Sequence, residues 1–585
     1  MPPSHACDAC KRRKVKCDGV DPCANCRIAH LVCGYSARPA RRGRPVIRAL
    51  SPRAATSSAS HPDTRTVVGH ASGPNYRYHT PSAGTHVDRV EGLSEIQQQI
   101  SQSHLHQGSV VILSPVTGES GSLFTFHYHP GQIHTHLVTQ LMALLTSKSI
   151  ADMVHGCIDF FLQYLFPNTP VVHENTLREG VVLLTPDGHS TFADLAFFSY
   201  GHPQTSHLKT FTLVTALCAF VTSLTPSSLS TSRASFSRPF LLASRAMLMV
   251  YEEYDLEYPD STSLAIRMWH SAALQNTTGR AGASYHHHAQ AAFLAQRLRL
   301  YDESAVQRHS QIESQLLRAM FWLLYLADKT AFALGTRPLV LDVRLFDAEL
   351  TLLENGSQDL PLLSNSKKVV QGSLERRLFF GFHLKRRVWT SAADLLANIK
   401  SLALRKNRGT SPAADHELQV ARLAEAYLFF TSLADQLPIW LKHPDTGTDS
   451  LDDDVVAYQR ACFWIQRSNI MTVFHCMKLV ILQTCLDNNL QEIIGLNDRA
   501  MSWATRKIEI VRDFLYELQV APFEYFQVQG ETAIERVRRV GSILLELVHH
   551  AENETIEKIV RPQFEQLLDF LAKLDSKASD ELARA

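Results

Sequence analysis

The sequence lacks the features of a secreted, membrane-spanning or catalytic protein. Its first residues contain no apolar stretch of the kind that directs secretion. The longest apolar runs, 211–224 and 471–486, are interrupted by polar residues and are shorter than a membrane span. No nucleophile elbow, phosphate-binding loop or metal-hydrolase motif is present. We therefore expect an intracellular protein in a reducing environment, with no enzymatic activity and no membrane partner.

Strand-like alternation of polar and apolar residues is also scarce. From about residue 136 almost to the end, apolar residues recur at helical spacing. At 585 residues the chain is too long for one core. The sequence predicts a mainly α protein with three parts: a small cysteine cluster domain over 1–36, a linker over 37–135, and a large all-α regulatory domain over 136–585.

Cysteine is abundant only near the start of the chain. Six of the eleven cysteines repeat the spacing C-x2-C-x6-C: Cys7, Cys10, Cys17, Cys23, Cys26 and Cys33. In a reducing compartment such a cluster indicates a metal site rather than disulfides. Six thiolates satisfy two tetrahedral zinc ions only if two of the sulfurs bridge both ions. We predict a structural two-zinc site in a segment that is too short to fold without metal.

Positive charge is concentrated in the same region. The first 50 residues carry eleven Lys and Arg against three Asp, although the whole chain has a net charge of only +1. The first cysteine repeat contains five of these cations: Lys11, Arg12, Arg13, Lys14 and Lys16. The second repeat instead offers apolar Ile28, Leu31 and Val32. We expect the first repeat to face double-stranded DNA and the second to pack behind it.

This cysteine pattern resembles the fungal Zn2Cys6 binuclear cluster family of transcription factors at every ligand. The resemblance implies the role of each cysteine: Cys7 and Cys23 bridge the two zinc ions, Cys10 and Cys17 complete one site, and Cys26 and Cys33 complete the other. It also implies that Arg13 and Lys14 read a CGG-like triplet in the major groove.

The helical part of the sequence is similar to the middle homology region found downstream of many such clusters. The segment 318–329 contains an Arg-x-x-Phe-Trp motif, and Gly335-Thr-Arg-Pro338 follows it. Helical periodicity alone predicts that Phe321, Trp322 and their apolar neighbours are core residues.

Two interpretations of the linker remain open from the sequence. Apolar residues at Leu93, Ile96 and Ile100 could form a short dimerisation helix over 90–105, or the whole linker could be disordered. The Arg-Gly-Arg-Pro stretch that contains Arg42 and Arg44 either enters an A·T minor groove or contacts phosphates as a basic linker.

The remaining cysteines and the histidine-rich stretches have ordinary interpretations. Five cysteines lie in apolar helical stretches and are predicted to be buried small hydrophobes: Cys157, Cys218, Cys462, Cys476 and Cys485. Histidines at 127, 129, 134, 136 and 286–288 are predicted to be solvated surface residues.

Together these features predict a zinc-dependent, sequence-specific DNA-binding regulator of RNA polymerase II transcription in the nucleus. An activator is favoured over a repressor. Acidic and apolar segments at 449–458 and 564–582 could recruit the transcription machinery. A homodimer and a small-molecule inducer are compatible with the sequence, which does not specify either of them.

Overall fold

The computed structural model describes most of the chain beyond residue 128 and parts of the first 35 residues. The described ranges are 6–13, 17–20, 22–23, 26–27, 32–35, 129–145, 148–188, 191–192, 202–225, 234–356, 359–364, 373–408, 413–445, 453–496, 500–549 and 554–574. The chain divides into two compact units, residues 1–119 and 120–585. The predicted linker, its dimerisation helix over 90–105, and Arg42 and Arg44 lie outside the described residues.

The described part of the first unit is organised around its cysteines. One helix, α1 (Asp8–Arg13), begins directly after Cys7, and residues 26–27 form a second short helical turn. The backbone N–H of Asp8 donates to the carbonyl oxygen of Gly34 at 2.8 Å. This bond joins the start of the cysteine segment to its end.

The second unit is a bundle of helices, and the described residues contain no strand. The helices, in chain order, are α2 (Pro130–Leu144), α3 (Ile150–Phe160), α4 (Glu174–Glu179), α5 (His202–Leu224), α6 (Ala234–Glu257), α7 (Ser261–Thr278), α8 (Ala281–Arg297), α9 (Glu303–Val306), α10 (Gln311–Ala333), α11 (Ser373–Arg408), α12 (Ala413–Ser432), α13 (Ile439–Lys442), α14 (Asp453–Asp487), α15 (Ala500–Val520), α16 (Glu524–Gln527), α17 (Glu531–His549) and α18 (Glu554–Lys573). A π-helical turn, Phe161–Leu165, follows α3, and short 3-10 turns occupy Gly180–Leu184, Pro186–Gly188, Val343–Leu345 and Gln491–Ile494.

Local sequence signals explain where several of these helices begin and end. Ser149 and Asp152 form a capping box at the start of α3, and Asp260 and Ser263 form another at the start of α7. Gly279 ends α7 with a φ of 67°, which a residue without a Cβ adopts at little cost.

The core of the second unit is continuous from α2 to α18. In its first half α5 packs against α6 and α7, and in its second half α11 packs against α14. Large side chains such as Phe211, Phe382 and Trp389 are almost completely buried. Burial of each contributes about 1.5–3 kcal/mol, so the bundle has an extensive core of its own.

A tight contact joins the two longest helices. Gln466 of α14 donates through Nε2 to the carbonyl oxygens of Leu378 on α11, at 2.7 Å, and of Pro167, at 2.6 Å. A Cβ added at Gly381 would lie 2.1 Å from Oε1 of Gln466, so a side chain at this position requires the Gln466 amide to move. Beside it, the buried Lys385 of α11 donates to the carbonyl oxygen of Asn168 at 3.0 Å.

Two core helices are long and apolar enough, by length and composition alone, to cross a membrane. They are Thr205–Leu224 and Asp454–Asp487, each with a mean hydropathy of 1.4. In the most apolar stretch of each helix, 78% of the first and 83% of the second is buried inside the bundle. Their hydrophobicity therefore supplies the protein core.

The predicted fold class is confirmed: a cysteine cluster precedes a large helical domain. The first helix of the bundle begins at Pro130, six residues before the start inferred from periodicity.

All five remaining cysteines are buried, as expected. The prediction for the histidines is wrong at His134 and His288, which are only 1% and 2% exposed, because α2 and α8 direct them into the bundle. The domain boundaries themselves stay predictions.

Candidate metal centre and nucleic-acid interface

The structure brings all six predicted cysteine ligands together. Their sulfur atoms form two groups of four, and within each group all sulfurs lie within 4.8 Å of one another. The first group is Cys7, Cys10, Cys17 and Cys23, and the second is Cys7, Cys23, Cys26 and Cys33. Cys7 and Cys23 belong to both groups. Each group offers the four sulfur donors that a structural zinc ion prefers.

The two halves of the cluster share a pattern of hydrogen bonds from backbone N–H groups to sulfur. The N–H groups of Cys10 and Cys26 donate to the shared sulfurs of Cys7 and Cys23 at 3.4 and 3.3 Å. The N–H groups of Cys7 and Cys23 donate to the outer sulfurs of Cys17 and Cys33 at 3.5 and 3.3 Å. The repeated spacing in the sequence therefore folds into two matching halves.

These hydrogen bonds change the acidity of the thiols. The N–H of Cys10 lowers the pKa of Cys7 to about 6, and the N–H of Cys7 is the main cause that lowers the pKa of Cys17. Burial raises the pKa of Cys10 to about 12. Amide donors thus favour the thiolate form of a shared sulfur and of an outer sulfur, and the thiolate is the form that binds metal.

One residue at the site was missed by the sequence reasoning. The hydroxyl of Tyr35 lies 3.7 Å from the sulfur of Cys17 and donates to the carbonyl oxygen of Val20 at 2.9 Å. Burial, and then Cys17, raise the pKa of Tyr35, so this phenol stays protonated at neutral pH. The only sequence signal was its position two residues after the last cysteine, and spacing alone does not predict that contact.

The structure locates part of the predicted DNA-contacting set. Lys11, Arg12 and Arg13 lie on α1, directly after the first cysteine. The exposed Lys11 is 3.3 Å from the carboxylate of Asp8. Such an exposed pair contributes less than about 1 kcal/mol, which leaves Lys11 available to other anions. Lys14 and Lys16 lie outside the described residues.

In the helical domain, polar side chains fasten α10 to α9, which precedes it, and to the loop that follows it. Arg318 donates to Glu303 at 2.6 Å, and Trp322 donates from Nε1 to the carbonyl oxygen of Leu353 at 2.9 Å. Asp328 accepts from the N–H groups of Val340 and Leu341.

The apolar side chains of the same helix confirm the predicted core role. Phe321 and Trp322 are 0% and 4% exposed, respectively. The Arg-x-x-Phe-Trp motif of this segment therefore stabilises α10 and its contacts with the neighbouring segments.

Comparison with known proteins agrees with both parts of this description. Residues 5–42 match the fungal Zn(2)-Cys(6) binuclear cluster domain, and residues 158–427 match the fungal specific transcription factor domain. The chain therefore matches one domain type over its cysteine segment and a second over its helical part, and both are domain types of fungal transcription factors. These families are not enzymes, in agreement with the sequence.

Individual relatives match over short segments. The xylanolytic transcriptional activator xlnR of Aspergillus flavus is 33% identical over 91 residues, which cover 15% of this chain and 9% of that protein. The C6 finger domain transcription factor nscR of Aspergillus fumigatus is 41% identical over 80 residues, or 12% of this chain and 10% of that protein. The chain thus spans about a tenth of the length of these relatives.

The cysteine cluster fits the two zinc ions that this domain family binds. Two zinc ions need eight coordination positions, and six sulfurs provide them when two are shared. The structure has two four-sulfur groups with two sulfurs in common. Because all donors are sulfur, the cluster leaves no open position for a reacting water, and its role is to hold the fold.

Proposed function

We propose that this protein is a zinc-dependent, sequence-specific DNA-binding transcription factor. The observation that carries the proposal is the pair of four-sulfur groups with Cys7 and Cys23 in common, directly followed by a helix that bears Lys11, Arg12 and Arg13. Metal fixes the cysteine segment, and the basic helix of the first repeat enters the major groove.

The cysteines hold metal and the basic residues contact DNA. Cys7 and Cys23 would serve both zinc ions, while the outer pairs Cys10 with Cys17, and Cys26 with Cys33, would hold one zinc each. Arg13 and Lys14 contact the bases of a CGG-like half-site, because basic side chains suit the N7 and O6 atoms of guanine. The other cations contact phosphates and set the position on the duplex: Lys11, Arg12, Lys16, Arg42 and Arg44.

The helical domain is proposed to regulate transcription by RNA polymerase II. Its match to a fungal specific transcription factor domain over residues 158–427 supports this role. Relatives that carry the printed name of transcriptional activator favour activation over repression. We place the protein in the nucleus, where its DNA target and the transcription machinery are found.

The experiment is selection of bound duplexes from a random pool by the full chain. Enrichment of one motif with a CGG-like triplet supports the proposal, and the number and spacing of triplets give the oligomeric state. Prior removal of zinc with a chelator should abolish enrichment, and added zinc should restore it. The proposal is contradicted if the zinc-loaded protein enriches no DNA sequence, or if the protein still enriches the same sequence after chelation.

The salt dependence of binding tests the role of the basic residues. If several cations contact phosphates, the logarithm of affinity falls linearly with the logarithm of salt concentration, with a slope of about −0.9 per contact. Fluorescence anisotropy with the selected duplex gives this slope. A flat plot would mean that phosphate contacts do not provide the affinity.

A further inference from the structure

Helix α12 is apolar on two opposite faces. One face packs against α11 and the Gln491–Ile494 turn, with Leu423, Tyr427 and Phe430 buried. A surface helix normally turns charged and polar residues toward solvent, so a second apolar face indicates a second packing partner. The second face, which we call the outer face, consists of the exposed residues Leu418, Ala421, Arg422, Glu425, Leu428 and Phe429.

The outer face exposes three large apolar side chains. Leu418, Leu428 and Phe429 are 51%, 66% and 54% exposed, respectively. Single exposed apolar residues are ordinary, but three on one face of one helix form a patch, and such patches mark interfaces. Aromatic residues and arginine are also enriched at protein interfaces, and this face contains Phe429 and Arg422.

The order of side chains on the outer face is complementary to its own reverse. Leu418, Arg422, Glu425 and Phe429 follow the spacing i, i+4, i+7, i+11, which places them in one stripe of the helix. Two apolar residues enclose two opposite charges, and both pairs have the same midpoint, between residues 423 and 424. A stripe with this symmetry matches a second copy of itself turned end to end.

The two charges at the centre of the stripe have no ion-pair partner among the residues that the structure describes. Arg422 precedes Glu425, which is the less favourable order for a pair within one helix. Across two antiparallel copies, Arg422 of each chain lies level with the partner's Glu425. A parallel pair would instead set like charges against each other, so the charges favour the antiparallel arrangement.

We propose that two copies of this chain associate through the outer face of α12, with the two helices antiparallel across a two-fold axis. Leu418 packs on the partner's Phe429, Arg422 pairs with the partner's Glu425, and each contact occurs twice because a two-fold interface uses the same patch on both chains. Leu428 flanks the stripe and enlarges its apolar area. This contact uses neither the cysteine cluster nor DNA, so it goes beyond the proposed function.

The small size of the face sets the expected strength of the dimer. An interface made by one helix face is small, and interfaces below roughly 1,200 Å² in total are typically weak. The dimer should therefore dissociate at micromolar concentrations. Sedimentation velocity of the full chain over a concentration series gives the dissociation constant.

Reversal of each charge tests the pairing. Arg422→Glu and Glu425→Arg each set like charges against each other at both contacts and should weaken the dimer at least about tenfold. The two variants change the net charge in opposite directions, so a loss common to both does not come from overall charge. Arg308→Glu, at an exposed position on another segment, is the matched control and should dimerise like the parent.

Recovery of the dimer separates a direct contact from damage to the fold. The double variant Arg422→Glu/Glu425→Arg exchanges the two charges and should dimerise like the parent. An equimolar mixture of the two single variants should also dimerise, because an Arg422→Glu chain then meets a Glu425→Arg chain with opposite charges at both contacts. If either recovery fails, or if the single variants dimerise as tightly as the parent, the proposal is wrong.

The apolar contact provides an independent readout. Leu418→Ala and Phe429→Ala should each weaken the dimer, and together they should weaken it by less than the sum of the two losses, since the side chains pack on each other. Met249→Ala truncates a 64% exposed side chain on α6 and should leave the dimer unchanged. Circular dichroism should give the parental helix content for every variant, because all the sites are exposed.

Two further results would overturn the proposal. Additive losses in Leu418→Ala and Phe429→Ala would mean that these side chains do not meet across the interface. A parent chain that stays monomeric throughout the micromolar range would assign the outer face to a different protein partner.

Discussion

The sulfur atoms of Cys7 and Cys23 lie 3.8 Å apart, and each belongs to both four-sulfur groups of the cluster. The two residues open the two C-x2-C repeats, and each receives the N–H of the cysteine three positions later. A repeated spacing in the sequence is thus converted into two metal sites with a common edge.

Replacement of Cys17 by Ala should remove one outer ligand and unfold the cluster, because a segment this short depends on metal for its structure. We expect zinc content to fall below two per chain and affinity for the selected duplex to drop to the non-specific level, at least about 10³-fold weaker. Metal analysis and anisotropy measure the two effects. Val32→Ala, at a 92% exposed side chain, is the control and should bind like the parent. Retention of nanomolar binding with two zinc ions would refute the ligand assignment.

The basic residues of the first cysteine repeat should include some that contact bases and some that contact phosphates. Lys14→Ala should cost about 1–3 kcal/mol and relax the choice of base at one position, whereas Lys16→Ala should weaken all duplexes evenly. Competition between the selected duplex and single-base variants separates the two effects. If both substitutions change affinity and base preference in the same way, the assignment of Lys14 to the bases is wrong.

The contact between Gly381 and Gln466 should make α11 intolerant of a larger residue. In Gly381→Ala the new methyl group would meet Oε1 of Gln466, whose amide is held by two backbone carbonyls. We expect a loss of about 2–4 kcal/mol in the free energy of unfolding, from overpacking and disturbed hydrogen bonds. Denaturant titration followed by circular dichroism measures it.

Gly282→Ala is the control for a helical glycine, since a Cβ there meets nothing within 4 Å. It should be neutral or stabilise by up to about 1 kcal/mol. A Gly381→Ala variant as stable as Gly282→Ala would mean that the two helices do not approach as closely as described.

The buried Lys385 should make the stability of the helical domain depend on pH. Burial, with Arg536 nearby, lowers the pKa of Lys385 to about 7 from its ordinary value of 10.5. Between these values the unfolded chain binds a proton that the folded chain does not, so the contribution of Lys385 to stability rises with pH. The contribution is fully unfavourable below pH 7.

We therefore expect the stability difference between the parent and Lys385→Met to increase in favour of the parent by about 1.4 kcal/mol per pH unit between pH 7 and 10. Denaturant titrations at several pH values give this slope. Lys406→Met removes an exposed lysine from the same helix and controls for the change in net charge. A slope of zero would place Lys385 in contact with water or an anion.

Much of the site could be predicted because the chemistry is local in sequence. The repeated spacing C-x2-C-x6-C predicts one cluster of six thiolates, and two zinc ions then require sharing. Which sulfurs are shared was implied by the family resemblance. Helical periodicity likewise predicted a large helical domain, and the core role of Phe321 and Trp322 followed from it. These features depend on residues within one or two helical turns of one another.

The remainder depends on packing between distant segments. His134 is buried with its ring nitrogen 3.1 Å from the carbonyl oxygen of Thr185, and His288 lies 3.6 Å from Asp328. Neither partner is adjacent in sequence, so composition alone suggested solvent exposure. Tyr35 and Lys385 went unrecognised for the same reason, since their partners lie eighteen and more than two hundred residues away.

The sharing of two sulfurs between two zinc ions can be tested by X-ray absorption spectroscopy at the zinc edge on the full chain. If Cys7 and Cys23 are shared, each zinc is surrounded by four sulfurs, with no nitrogen or oxygen neighbour, and a zinc neighbour contributes to the scattering. Four-sulfur sites with no zinc–zinc contribution, or sites that contain nitrogen or oxygen ligands, would contradict it.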